Sequence, residues 1–251
     1  MVTSTSLDWI FFDCFNTLID DFDTTGCEAG LAPMYQVPVT AGLYPDMAAV
    51  RADYHRWRLE NIAGKPAEQT LRQRFRNLFA TYRPRATAAT VDPILAEMEV
   101  QFRRCFPATL RLPAGVETML QRWQGQVSMG VISNFFVAEW PAQMLERHGL
   151  RSYFSFVLDS AEYGQRKPGD AIYKAALEVA GNPPPGRVLF IGDHLLNDAI
   201  APQRLGMQSI YFDRSAERTS SSAAPANISA ITHWDQFVPT PRPDKAPAHS
   251  S

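Results

Sequence analysis

Three apolar runs in this chain end on polar residues that packing does not require. Trp9-Ile10-Phe11-Phe12 stops at Asp13, Met129-Gly130-Val131-Ile132 stops at Ser133-Asn134, and Val188-Leu189-Phe190-Ile191-Gly192 stops at Asp193, with Asp198 five residues further on. A fourth polar group, Lys167, lies in Gly164-Gln165-Arg166-Lys167-Pro168, after the apolar run Phe154–Leu158. A lone Asp at a strand end is usually a turn former or a helix cap; four such polar ends in one chain point to a shared site. Three carboxylates in one crevice repel one another and raise their pKa values unless a cation intervenes. Carboxylate oxygens without a His or Cys cluster suit hard Mg²⁺ rather than zinc, and Mg²⁺ accepts a substrate phosphate as a further ligand.

Positioning these groups together requires a parallel sheet. Five short apolar runs read as buried strands: Trp9–Phe12, Val127–Ile132, Phe154–Leu158, Val188–Ile191 and Ser209–Phe212. Helical spacing separates the later ones, over Gly115–Trp123, Pro141–His148, Asp170–Ala180 and Ala199–Leu205. This alternation predicts an α/β fold, a Rossmann-like parallel sheet with helices on both faces. In such sheets ligands bind beyond the carboxyl ends of the strands, which puts all four polar groups at one crevice. Pro168 suits the first position of the helix that follows Lys167.

The interval from Asp20 to Phe106 has a different texture: no strand pattern, and helical spacing over Asp46–Ile62, Ala67–Tyr82 and Asp92–Phe106. It reads as an inserted all-helical domain, residues 20–106, interrupting a core made of residues 1–19 and 107–238. Prolines from Pro107 to Pro113 mark the return to the core. Beyond Asp213 the chain turns rich in Ser, Ala and Pro; Ile228–Phe237 is expected to dock on the core and residues 239–251 to be a disordered tail.

Taken in order, DCFNT, SN, GQRKP and GDHLLND resemble the four motifs of the haloacid dehalogenase superfamily, whose members share a Rossmann-like core and mostly hydrolyse phosphate esters through an aspartyl intermediate. The resemblance covers about 19 N-terminal residues and Pro107–Asp213, and the helical insertion resembles the family's alpha-helical cap, which implies a segment that closes over the crevice and excludes water. Carried over by residue, the resemblance implies Asp13 as nucleophile, with Ser133 and Lys167 binding the transferred group. It implies Mg²⁺ on Asp193, Asp13 and the Phe15 backbone carbonyl, and Asp198 supporting the metal shell or orienting Lys167. Asn134 would hold its loop or touch substrate, and Phe15 and Thr17 would line the substrate site. A carboxylate nucleophile divides one hard displacement into two easier ones, and a cation stabilises the anionic oxygens.

Phe15 departs from the phosphatase pattern. Family phosphatases usually carry a second Asp there, which protonates the leaving oxygen and then activates water. An aromatic residue two positions after the nucleophile resembles the dehalogenase branch, in which the departing halide needs no proton. Motif four, GDHLLND, keeps both acids and resembles the phosphatase pattern. Losing general acid catalysis removes about 10²–10⁴-fold in rate; burying a cluster of acids without a metal leaves uncompensated repulsion and desolvation. The balance favours Mg²⁺-dependent hydrolysis of a small phosphorylated metabolite with an unusual or missing general acid. The alternatives are a 2-haloacid dehalogenase-type hydrolase and a catalytically degenerate binding protein.

Asp20 and Asp21 read either as a substitute acid or as a solvated hinge, and His194 either as a proton donor or as a structural loop residue. Arg51, Arg56, Arg58, Arg72, Arg74, Arg76, Arg83 and Arg85 read mainly as solvated helix faces, with one or two able to clamp a carboxylate or phosphate in the crevice.

Composition agrees with small-molecule chemistry. The 251 residues carry 24 basic and 26 acidic side chains, a net charge of −2, which suggests neither nucleic acid nor an anionic membrane as partner. An anionic small molecule is the expected substrate; oligomeric state is not encoded in any pattern here. Cys14, Cys27 and Cys105 lack disulfide or zinc spacing and read as reduced thiols. MVTSTSLDWIFFD has no basic start or long apolar run, so the expectation is a cytoplasmic protein, in which the Asn227-Ile228-Ser229 sequon has no role.

Overall fold

The computed structural model describes residues 7–21, 30–214 and 228–238; Cys27, Asn227 and the tail 239–251 lie outside the described residues. The aromatic and branched run Trp9–Phe12 forms β1, and the sheet around it contains β4 (Ser128–Ser133), β5 (Phe156–Asp159), β6 (Val188–Gly192), β7 (Gln208–Phe212) and β8 (Ala230–Ile231). Spatial order is β5-β4-β1-β6-β7-β8, with every adjacent pair parallel. Phe12 stands level with Val131 of β4 and with Ile191 of β6. The residues just beyond therefore share one edge. From β1 the chain moves outward to β4 and β5, then crosses back to β6, so the direction of winding reverses between β1 and β6. Asp13 and Asp193 flank that reversal, where open α/β sheets form their binding crevice.

Both faces of the sheet are covered. Phe11, Ile132 and Phe190 pack with α8 (Asp170–Val179) and α9 (Ala201–Arg204) on one side, while Ile10, Phe12 and Val131 pack with α5 (Val116–Trp123) and α6 (Trp140–Arg147) on the other. Burial on two faces explains why the strands read as continuous apolar runs rather than alternating ones. Gly130 makes room for a neighbour: a Cβ there would lie 2.4 Å from the Phe156 ring. Beyond β7, residues 228–237 do dock, through the parallel strand β8 and through Trp234, whose ring lies 4.5 Å from Phe212 and 6.1 Å from Phe12.

Between β1 and β4 the chain leaves and re-enters the core on a two-stranded ribbon, β2 (Asp20–Asp21) antiparallel to β3 (Leu110–Arg111). Among the described residues four α-helices lie between them: α1 (Ala32–Thr40), α2 (Met47–Asn61), α3 (Leu71–Tyr82) and α4 (Ala88–Cys105). The sequence reading missed α1, because Pro33, Pro38 and two valines mask its periodicity; Pro33 sits in the tolerant first turn, and Met34, Tyr35 and Pro38 are buried. It also started α3 too early. Thr70 caps that helix in a capping box with Gln73, so Ala67 is extended instead and bridges Gln165 of the core. Likewise α4 starts earlier than Asp92, capped by Thr87.

Two further expectations are corrected around motifs three and four. Pro168 is not the first residue of α8: Gly169 is its N-cap and Asp170 its first residue. Residues Ala199–Leu205 are not one helix. Leu195–Ile200 wind as a π-helical segment before α9, with His194 Nδ1 accepting from the Asn197 amide at 3.3 Å. Such wide turns recur where a side chain must be re-aimed at a site, and here the side chain is Asp198. Among the described residues no helix is long and apolar enough to cross a membrane.

Candidate active site

Parallel register alone brings the strand-end groups together. One carboxylate oxygen from each of Asp13, Asp193 and Asp198 lies within 4.8 Å of the others. Lys167 Nζ donates to Asp13 Oδ1 at 2.8 Å and to Asp198 Oδ1 at 2.7 Å, with the ammonium and Asp198 fully buried. Asp198 Oδ2 takes the His194 backbone amide at 2.9 Å, so both its oxygens are engaged. Gly192 permits this: a Cβ there would lie 2.5 Å from the Asp198 carboxylate.

Electrostatics follow from this packing. Burial by itself would lower the Lys167 pKa, but the charges of Asp13 and Asp198 overcome it and hold the ammonium above its ordinary value. Burial pushes the Asp198 carboxyl up to about 6, against the pull of Lys167 and with the help of Asp13. Lys167 is shared between two of three adjacent carboxylates, and a second cation there would relieve their mutual repulsion. The hard oxygen donor set, with Asp193 at its open side, fits a divalent cation such as Mg²⁺.

Ser133, at the end of β4, is buried, and its Oγ has no hydrogen-bond partner among the described residues; the same holds for Thr17 Oγ1 and Asn16 Oδ1 in the turn after Asp13. Buried polar atoms are seldom left so, and these orphans lie in the two loops that flank Asp13. Asn134 is engaged differently. Its side chain exchanges two hydrogen bonds of 2.8 Å with the Lys167 backbone, tying the β4 loop to the lysine loop. Phe15 faces Phe135, centroids 4.5 Å apart. No protic side chain occupies its place.

The neighbouring acids and cations resolve as follows. Asp20 is neither a solvated hinge nor an available acid: it is buried and takes two hydrogen bonds from Arg214, at 2.6 and 2.8 Å. Asp21 is exposed and accepts from Thr109 at 3.2 Å. His194 spends its Nδ1 on capping the π segment. Arg56 and Arg83 pair with Asp53, Arg72 with Glu99 and Arg76 with Asp92 on the outside of the helices. Arg51, Arg58 and Arg74 instead line a cavity of about 580 Å³ between the helical insertion and the loops after β1 and β4, whose wall includes Phe15, Asn16 and Asn134.

Two charged residues at or behind this cavity escaped the sequence reading. Glu68, hidden in what looked like a helical first turn, is buried and receives Arg74 at 2.7 Å and the Ser160 hydroxyl at 2.7 Å. Arg166 was in view inside GQRKP, but nothing in its spacing indicates that it faces the cavity. Only the fold reveals either.

Residues 7–206 match the family model of haloacid dehalogenase-like hydrolases. The chain is 28% identical over 236 residues to pyrimidine 5′-nucleotidase YjjG of Escherichia coli, covering 92% of this chain and 97% of that protein. It is also 28% identical over 113 residues to ribulose-1,5-bisphosphate 5-phosphatase of Halopiger xanaduensis, covering 45% and 46% of the two chains. Solved structures with the same fold include a 2-haloacid dehalogenase from Pseudomonas syringae (TM-score 0.66, 19% identity, 92% and 96% covered). Another is a phosphatase from Thermococcus onnurineus (TM-score 0.63, 16% identity, 92% and 95% covered). The family match spans most of the chain, and its ordered motifs sit at the strand ends of a parallel sheet: this protein belongs to the haloacid dehalogenase-like hydrolases.

Proposed function

We propose that the protein hydrolyses a small phosphate ester with Asp13 as nucleophile. The observation that carries this reading is the group of Asp13, Asp193 and Asp198 within 4.8 Å with Lys167 across two of them. An Asp13 oxygen attacks phosphorus, the ester P–O bond breaks, and the phosphoryl group is held on Asp13 while the leaving oxygen departs with the bonding pair as an alkoxide or phenolate. Water then attacks that acyl phosphate and restores the carboxylate. Lys167 neutralises equatorial oxygens, and Ser133 Oγ, which has no hydrogen-bond partner among the described residues, donates to them. Mg²⁺ on Asp13, Asp193 and the Phe15 carbonyl, with Asp198 behind, would offset the negative charge of the phosphate. In this reading Asn134 keeps Lys167 in register, Phe15 and Thr17 line the substrate site, and residues 20–106 act as the cap over it.

A second reading rests on Phe15, which supports halide release from a 2-haloacid because that leaving group needs no proton. The two are separated by incubating the protein with nucleoside 5′-monophosphates, aryl and acyl phosphates and 2-haloacids, with Mg²⁺ and with excess chelator, and measuring phosphate and halide independently. Phosphate release that requires Mg²⁺ and vanishes in a folded Asp13→Asn variant is the expected result. Halide release undiminished by chelator would replace the first reading by the second.

A further inference from the structure

The helical wall of the cleft holds more positive charge than the protein compensates. Arg74 and Arg166 both face the single buried carboxylate of Glu68, at 2.7 and 3.8 Å, and Glu68 also takes the Ser160 hydroxyl. Arg58 lines the same cavity. Arg74 is satisfied: besides Glu68 it donates to the Gln69 carbonyl and to Tyr54 Oη, and it lies over the Phe136 ring. Arg166 is not. Its side chain is 21% exposed, and its Nη1 is buried with no hydrogen-bond partner among the described residues. Its backbone is pinned, the amide donating to Pro66 O at 2.7 Å, which leaves the guanidinium against the cavity wall. Burial and the nearby Arg74 and Arg58 charges hold its pKa below the ordinary guanidinium value despite Glu68. Arg166 also directly precedes Lys167, so its side chain starts one residue from the ammonium that touches Asp13.

We infer that this wall is an anion subsite: Arg166, with Arg58 beside it, binds a carboxylate or second phosphate on the leaving group of the substrate. The inference rests on the phosphate-ester reading of Asp13 and narrows it to esters that carry a second negative charge. A guanidinium presents paired N–H donors that match a carboxylate or phosphate. Phe15, Phe135 and Phe136 supply an apolar surface for the carbon body between the two charges. Asp21 also lines this cavity and repels anions, an opposing charge that Arg166 and Arg58 together outnumber.

The test uses two aryl phosphates, 4-carboxyphenyl phosphate and its methyl ester, with the Mg²⁺-loaded full-length protein. The wild type should favour the carboxylate by about tenfold in kcat/KM through KM, and Arg166→Gln should erase most of that ratio, with Arg58→Gln reducing it less. A wild-type ratio near one, or a ratio unchanged in both variants, overturns the subsite. If neither ester releases phosphate, the catalytic reading fails by itself, and calorimetric titration of both esters into Asp13→Asn still decides the subsite. Tighter binding of the carboxylate that is lost on adding Arg166→Gln supports it, and equal affinities overturn it.

Discussion

Phe15 places an aromatic ring, tilted by 34° against Phe135, two residues after Asp13, where the phosphate-ester reading would call for a proton donor to the leaving oxygen. Asp20 does not make up for it, since Arg214 binds it bidentately, while His194 Nδ1 accepts the Asn197 amide and leaves Nε2 as the proton-bearing nitrogen. A phosphoryl transfer without an acid depends on a leaving group that departs as an anion. Aryl and acyl phosphates should therefore turn over faster than simple alkyl phosphates, by up to about 10²–10⁴-fold. Phe15→Asp should narrow the gap by raising alkyl rates, measured by phosphate release from matched alkyl and aryl esters. Equal wild-type rates on both would show that another group supplies the proton and would refute this account of Phe15.

At the scale of elements, the turn after β1 has to be held rigid for Asp13 to keep its aim. Arg214, just beyond β7, does this from across the sheet. It donates to the Asn16 carbonyl at 3.2 Å and to both oxygens of Asp20. Arg214→Ala leaves a buried carboxylate at the start of the ribbon into the helical insertion. Removing one partner of a buried pair costs about 3–5 kcal/mol, to be read from chemical denaturation. Replacing both partners by apolar residues should cost less than either single change, because no charge is then stranded. A loss under about 1 kcal/mol in Arg214→Ala would show that water reaches Asp20 and that the turn is not held this way.

The whole molecule depends on two assemblies meeting at a seam. Residues 66–71 join the core through backbone hydrogen bonds, Glu68 to Gly164 at 3.0 Å, Arg166 to Pro66 at 2.7 Å and Leu71 to Phe136 at 2.7 Å. Beside this seam the helices and the loops after β1 and β4 wall one cavity, and the carboxylates of Asp13, Asp193 and Asp198, crowded within 4.8 Å, oppose folding by mutual repulsion. A cation that binds only the folded chain stabilises it by mass action, about 2.7 kcal/mol at a hundredfold excess over Kd. Saturating Mg²⁺ should therefore raise Tm by several degrees, and Asp193→Asn should abolish the rise while leaving the metal-free Tm equal or higher. An unchanged Tm in Mg²⁺, with wild-type circular dichroism, would exclude these carboxylates as the metal site.

Local sequence alone determined the five main strands, the flanking helices of the core and the parallel order that follows from their alternation, because two-sided burial and helical periodicity are short-range signals. It also brought Asp13, Ser133 and Asp193 to one edge, since a residue ending a buried strand has nowhere else to go, while Lys167 and Asp198 reach them from the loop and the π-helical segment beyond β5 and β6. What only the tertiary structure decided concerns partners distant in the chain. Asp20 looked like a free or solvated acid until Arg214, 194 residues away, closed on it. Glu68 carried no signal of its own in the sequence; Ser160, 92 residues away, and Arg74 meet it only in the fold. Of the ten arginines in the insertion, periodicity could not say which face the cavity, because three-dimensional packing sets the roll of each helix. Pattern reports what a segment buries; it does not report which charge from elsewhere in the chain will be buried against it.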